Sequence, residues 1–373
     1  MKVLMIKDHC FKNEWLERFK NQKDHRRIDK IILEKMIYAL HLLERLKSNG
    51  LDFIFKGGTS LVLLLEKGSR FSIDIDIICK TEREKLESIL QKVIESSNFT
   101  SFQIDEHRSF QPGVPKAHYK FKFDSSKLGS GTILLDVLIE DSIYPKVIEK
   151  PIQTKWIETE GETLVTVPSI DAITGDKLTA FAPNTIGIPY FKGKDNQSFS
   201  MEICKQLFDL SKLFEHLESI EVTAASFLAF ANQEIAYRKK ENSDTEITPK
   251  NVLQDAIDTC IILAKKGKGS DDEKAKYREL QKGITALGTG FLMEGNFRID
   301  DAVSASARIA YLAAKLLVDN LSPISYYNGQ DIKNLTIEEP EWNFLNPLKR
   351  QPDKSAYYYW YQTVQLVKFK SVI

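Results

Sequence analysis

Three aspartates stand where a folded chain normally places apolar side chains. Asp74 and Asp76 alternate with isoleucine in FSIDIDIIC, residues 71–79, and Asp136 is the only charge in ILLDVLI, residues 133–139. Carboxylates two residues apart on a strand point to the same side, about 7 Å from each other. Without a cation, their repulsion and desolvation are unfavourable. Mg²⁺ takes a few carboxylates together with phosphate oxygens, so Asp74, Asp76 and Asp136 read as metal ligands. Three acids on adjacent strands can hold two metal ions about 3.5–4 Å apart, an arrangement suited to in-line phosphoryl or nucleotidyl displacement.

The stretch before them supplies a place for the phosphates. FIFKGGTSL, residues 53–61, reads as a short buried strand, a Gly57-Gly58 turn, and a helix starting at Thr59 or Ser60. Such a junction lets the backbone approach an anion closely, and the N–H groups of the helix start favour negative charge. The Thr59 and Ser60 hydroxyls add donors. A glycine pair alone is an ordinary turn; followed by an alternating strand carrying two aspartates, it reads as a nucleotide site. Arg70 either holds phosphate or pairs with an acid.

The elements that must position these groups follow from periodicity. Residues 27–50 repeat apolar side chains at helical spacing and end on Gly50. Residues 51–55, 70–79, 118–123, 132–140 and 163–168 read as strands, and 82–97 as a helix. On the 70–79 strand, Phe71, Ile73, Ile75 and Ile77 would face the core; Arg70, Ser72, Asp74 and Asp76 would share the opposite face. From VPSIDAITGDKLTAF onward the pattern turns helical, interrupted by a loop over residues 181–200, and continues so to about residue 320. The tail SAYYYWYQTVQLVKF fits a helix or a strand, its tyrosines packing in the core. The domain reading is 1–165 for the core with its N-terminal helices and 166–373 for a mainly helical portion completing the active-site cleft.

Composition narrows the class. The 373 residues are 42% hydrophobic and 28% charged, a folded globular profile, and 52 basic residues balance 52 acidic ones. That balance argues against a protein coating long nucleic acid, while leaving room for a local basic cleft. The N-terminal apolar run is too short for a signal peptide, and no stretch approaches the ~18 apolar residues of a membrane span. Cys10, Cys79, Cys204 and Cys260 are scattered without metal or disulfide spacing, and the six histidines show no metal-ligand spacing. A cytoplasmic protein with reduced thiols and no membrane contact is the expectation. GIPYFKGKD has the wrong glycine spacing for a Walker loop and no Ser or Thr after its lysine.

Together, GG, DID and LDV resemble the motif of the polymerase-β-like nucleotidyltransferase superfamily. KGGTSL with RFSIDID is more closely similar to the AbiE-type abortive-infection toxin family, which includes nucleotidyltransferase toxins of toxin–antitoxin systems. DKLTAFAPNTIGIPY and EICKQLFDLSKLF are similar to later segments of that family, so the likeness spans roughly residues 30 to 217. The resemblance implies an α+β fold: a polymerase-β-like core with a mixed sheet flanked by helices, plus an α-helical C-terminal portion. It implies that Gly57, Gly58, Thr59 and Ser60 cradle a triphosphate and that Ser72 and Asp74 are the family's S-x-D pair. Asp74 and Asp76 would be metal ligands, and Asp136 a metal ligand or the base for the acceptor hydroxyl. Lys177 would hold the phosphates, and Asp209 would be the functional aspartate of the following helix. Lys205-Gln206 stands where members often carry Arg-Asp, so a second acid is missing. Glu202, Lys205 and Asp209 also fit a plain salt-bridged helix face. The implied activity is Mg²⁺-dependent transfer of a nucleotide from an NTP to an acceptor hydroxyl, with tRNA as acceptor and an antitoxin as partner. A protein or small-molecule acceptor, or an inactive nucleotide-binding relative, are the alternatives.

Overall fold

The computed structural model describes residues 5–21, 28–65, 70–109, 115–193, 195–240 and 246–368. The chain divides into two units: residues 1–169 with 289–295, and residues 170–288 with 296–373.

The first unit is α+β. Its elements are α1 (Asn13–Lys20), α2 (Lys30–Ser48), β1 (Ile54–Lys56), α3 (Gly57–Leu64), β2 (Ile75–Cys79), α4 (Arg83–Ser96), β3 (Phe99–Ile104), α5 (Glu106–Ser109), β4 (Lys116–Phe123), β5 (Gly131–Ile139), β6 (Val147–Pro151) and β7 (Leu164–Pro168). The strands form one mixed sheet in the order β3-β4-β5-β2-β1-β7-β6. The β2–β5 and β1–β7 pairs are parallel and the other neighbours antiparallel. Two-residue alternation gives this sheet two different faces. Phe55, Ile75, Ile77, Tyr119, Phe121, Leu135, Val137, Val165 and Val167 are all buried on one of them. Helices α2 and α4 cover that face: Tyr38 stacks on Phe123 at 3.7 Å, and the Tyr119 hydroxyl donates to Glu87 at 3.2 Å. Asp29 caps α2, its carboxylate accepting the Ile31 N–H at 2.8 Å. Asp76, Asp136, His118 and Lys120 lie on the opposite, only half-covered face.

Three sequence expectations change. The alternating run does not become strand until Ile75, because Arg70 and Phe71 pair elsewhere. Arg70 bridges Leu292, and the Phe71 N–H donates to the Phe291 carbonyl at 2.6 Å. Phe71 is nevertheless fully buried, while Ile73 is only half-buried. Strands β3 and β6, at the two edges of the sheet, were not predicted. The helix after Gly57-Gly58 begins on the glycines themselves rather than at Thr59 or Ser60. The end of TSLVLLLEKG beyond residue 65 and the last residue of the tail segment lie outside the described residues.

The second unit is helical: α6 (Ile170–Ala180), a small hairpin of β8 (Phe191–Lys192) and β9 (Gln197–Ser198), then α7 (Ser200–Phe214), α8 (Ile220–Lys240), α9 (Pro249–Ala264), α10 (Asp271–Gly288), α11 (Ile299–Leu317) and α12 (Ser355–Lys368). The tail is therefore a helix, and Tyr357, Tyr358, Tyr359 and Trp360 are buried packing residues. All four cysteines are buried free thiols. Burial pushes each thiol's pKa up, which keeps it protonated and chemically inert. Among the described residues, no helix is long and apolar enough to cross a membrane.

The β4–β5 hairpin register is pinned by a close contact. Gly131 faces Phe123, and a Cβ on Gly131 would sit 2.1 Å from the Phe123 ring. Gly131→Val should therefore displace a ring that is stacked on Tyr38. We expect a loss of about 1–3 kcal/mol in urea unfolding, the usual cost of overpacking. A Gly131→Val protein as stable as wild type would show that this contact does not hold the register.

Candidate active site

Glycine is required where β1 turns into α3. Gly57 has a φ of +77°, and a Cβ there would lie 2.1 Å from Oδ2 of Asp76. A Cβ on Gly58 would lie 2.7 Å from Nη2 of Arg70 and 3.1 Å from the Ser72 hydroxyl. The turn is thus pressed against the Asp76 carboxylate on one side and the Arg70–Ser72 segment on the other. Thr59 and Ser60, read as phosphate donors, are fully buried and donate to backbone carbonyls. The Thr59 hydroxyl reaches the carbonyl of Asp74 at 2.5 Å, and that of Ser60 the carbonyl of Gly57 at 2.8 Å. Thr59 thus ties the turn to the residue just before β2, and Ser60 closes the first turn of α3 on Gly57. Arg70 is buried as well and donates to the Phe71 carbonyl at 3.2 Å.

Sheet register then assembles a polar row across four strands. Lys56 on β1 lies opposite Asp76 on β2, Asp76 opposite Asp136 on β5, and Asp136 opposite His118 on β4. Directly opposed residues share a face, so the two carboxylates stand side by side at the strand spacing of about 4.8 Å. Like charges about 5 Å apart repel by roughly 3 kcal/mol at an effective dielectric of about 20. The fold offsets part of that by flanking the pair with Lys56 and His118. The imidazole Nδ1 of His118 lies 2.6 Å from Oδ1 of Asp136, with the two side chains 12% and 24% exposed. Lys56 also lies over the Tyr144 ring, 5.8 Å from its centroid.

Asp74 is placed differently. It precedes β2 by one residue and is half-buried. Among the described residues, no three His, Cys, Asp or Glu side chains form a ready-made metal cage. The in-register pair Asp76 and Asp136 still suits Mg²⁺, which binds through one or two carboxylates and leaves its other positions to water and substrate phosphates. A cavity of about 590 Å³ opens elsewhere, at the far end of β2, lined by Asp52, Ile54, Ile78, Lys80 and Glu140, and includes none of the three aspartates.

In the second unit the structure joins the two other predicted residues. Nζ of Lys177 on α6 donates to Oδ2 of Asp209 on α7 at 2.8 Å, with both side chains buried. Gln206, standing where a second acid was expected, accepts from the same ammonium at 3.1 Å. A neutral amide there gives the ammonium a second acceptor without adding charge. Asp209 is thereby removed from the solvated face, where Lys205 pairs with Glu202 at 3.6 Å.

His118 is the residue that sequence reasoning missed. Within KAHYKFKF it looks like one more polar side chain on an alternating strand. The signal lay in hairpin counting: with Phe123 opposite Gly131, residue 118 falls opposite 136.

The Gly57–Asp76 contact makes a testable coupling. Gly57→Ala should cost about 1–2 kcal/mol from its left-handed backbone alone, plus the displacement of the carboxylate. In an Asp76→Ala background the second part disappears, so the two substitutions should couple by about 0.5–3 kcal/mol in a denaturation cycle. Strict additivity would show that the turn and the carboxylate are not in contact.

Comparison with known proteins comes to a family and a structural likeness. The sequence profile of the family described as "Nucleotidyl transferase AbiEii toxin, Type IV TA system" matches residues 41–286. No curated protein sequence matches the chain. Among solved structures, an H. pylori protein provisionally described as a nucleotidyltransferase is 14% identical, covering 67% of this chain and 97% of its own, with a TM-score of 0.34. At that score the likeness carries no argument. The family match spans well over half of the 373 residues and includes the glycine turn, all three aspartates, His118, Lys177 and Asp209. The chain belongs to the AbiEii nucleotidyltransferase toxin family.

Proposed function

We propose that this protein transfers a nucleoside monophosphate from an NTP to a hydroxyl at the end of a tRNA, in the cytoplasm, with Mg²⁺ bound at Asp76 and Asp136 and assisted by Asp74. The observation that carries this reading is the in-register carboxylate pair beside the Gly57-Gly58 turn, in a chain of a nucleotidyltransferase toxin family. The tRNA acceptor and an antitoxin partner rest on the family. When bound, Mg²⁺ supplies neutralisation of the charge that develops on the triphosphate.

The chain's own groups account for the rest. Asp76 and Asp136 anchor the cation at a fixed spacing. Backbone N–H groups at the start of α3, where two glycines keep side chains away, orient the phosphates. The acceptor oxygen bonds to the α-phosphorus as the bond to the bridging oxygen breaks, pyrophosphate leaves, and the hydroxyl proton passes to solvent or to a carboxylate. Lys177 is the family's phosphate-holding lysine by position; here Asp209 and Gln206 fix its ammonium in place.

Incubation with Mg²⁺, each α-³²P-labelled NTP in turn, and total tRNA or a cell lysate tests the proposal. A labelled tRNA band with one or more NTPs is the expected result. Asp136→Asn and Asp74→Asn should each lower labelling by at least about 100-fold, equivalent to roughly 3 kcal/mol of barrier. Label on protein in place of tRNA would overturn the acceptor assignment. Full labelling by Asp136→Asn would overturn the metal site.

A further inference from the structure

The contact between His118 and Asp136 is built with more care than a surface ion pair needs. His118 is held by its backbone from the β3 side. Its N–H donates to the Ser109 hydroxyl at 2.9 Å, and its carbonyl accepts the Asp105 N–H at 2.7 Å. Both backbone groups therefore point away from β5, which makes His118 and Asp136 a pair without mutual backbone hydrogen bonds, the kind whose side chains lie closest. The ring is largely covered, and the register that brings it there is fixed by Phe123 against Gly131. An ionised carboxylate only accepts, so Nδ1–H is the donor and Oδ1 the acceptor.

We propose that His118 is a positioning residue: its Nδ1–H holds one oxygen of Asp136 and so fixes the orientation in which that carboxylate meets the divalent cation. This rests on the metal site proposed above. An aspartate side chain turns about two bonds, and each turn would move its oxygens relative to Asp76. One strong hydrogen bond from a rigid ring removes that freedom before any ion arrives. Partners that orient a ligating carboxylate in this way are commonly worth about 10–100-fold in metal affinity.

Mn²⁺ alone is the probe, its binding read from the electron paramagnetic resonance signal of the free ion. His118→Ala and His118→Leu both remove the donor, the second while keeping the site filled. His118→Asn keeps an N–H near the place of Nδ1. Asp136→Asn is the control for the site itself, and melting without Mn²⁺ checks the fold of every variant. His118→Ala and His118→Leu should weaken Mn²⁺ binding about 10–100-fold, with His118→Asn close to wild type. If Asp136→Asn loses Mn²⁺ but both donor-free variants bind it normally, the positioning role is wrong and the metal site stands. If His118→Asn is as weak as His118→Ala, orientation by a donated hydrogen bond is wrong. If Asp136→Asn binds Mn²⁺ like wild type, Asp136 is not a ligand and both readings fall.

Discussion

The parallel pairing of β2 with β5 sets Asp76 beside Asp136, and the rest of the first unit serves to keep that pairing in place. A slip of one residue between these strands would send one aspartate into the apolar face and bring an isoleucine or a valine out. The buried side chains Ile75, Ile77, Leu135 and Val137 oppose such a slip, because each would have to leave the core. Burial of one such side chain is worth about 1.5–3 kcal/mol. Several together outweigh the roughly 3 kcal/mol by which two like charges repel at this spacing. The charge pair is therefore an imposed feature, stabilised from behind by hydrophobic burial and from the sides by Lys56 and His118.

That arrangement explains the composition around it. Gly57 is needed because the chain turns directly over Oδ2 of Asp76, with no room for a Cβ. Thr59 fastens the turn to the residue preceding β2, and Ser60 secures the turn on itself through the Gly57 carbonyl. Gly131 is needed because the Phe123 ring lies over it, fixing the hairpin that delivers His118. The helical unit carries its own pair, Lys177 and Asp209, with Gln206 supplying a neutral acceptor at the position where a second acid was expected.

The parts of this site that alternate with core residues were legible in the sequence. Asp76 and Asp136 stand out because each interrupts an apolar run that can only be strand, and the glycine pair stands out because it precedes one of them. Partners set by pairing between distant segments were not legible. Residues 70–74 leave the predicted strand because Arg70 and Phe71 meet Phe291 and Leu292, more than two hundred residues away. The edge strands β3 and β6 have one paired side each and mixed exposure, so their alternation is weak. His118 needed the hairpin register, and Gln206 needed the packing of α6 on α7, before either had a meaning. The tail tyrosines, ambiguous in sequence, resolved to a buried helix once their neighbours in the second unit were known.

The central claim is that Asp76 and Asp136 form one cation site. Anomalous difference density from crystals of the wild-type protein grown with Mn²⁺ tests it most directly. The account predicts a peak bonded to an oxygen of each carboxylate, at the roughly 2.0–2.2 Å typical of small hard divalent ions. Density only elsewhere, for instance in the cavity beyond the far end of β2, with both carboxylates bare, would contradict it.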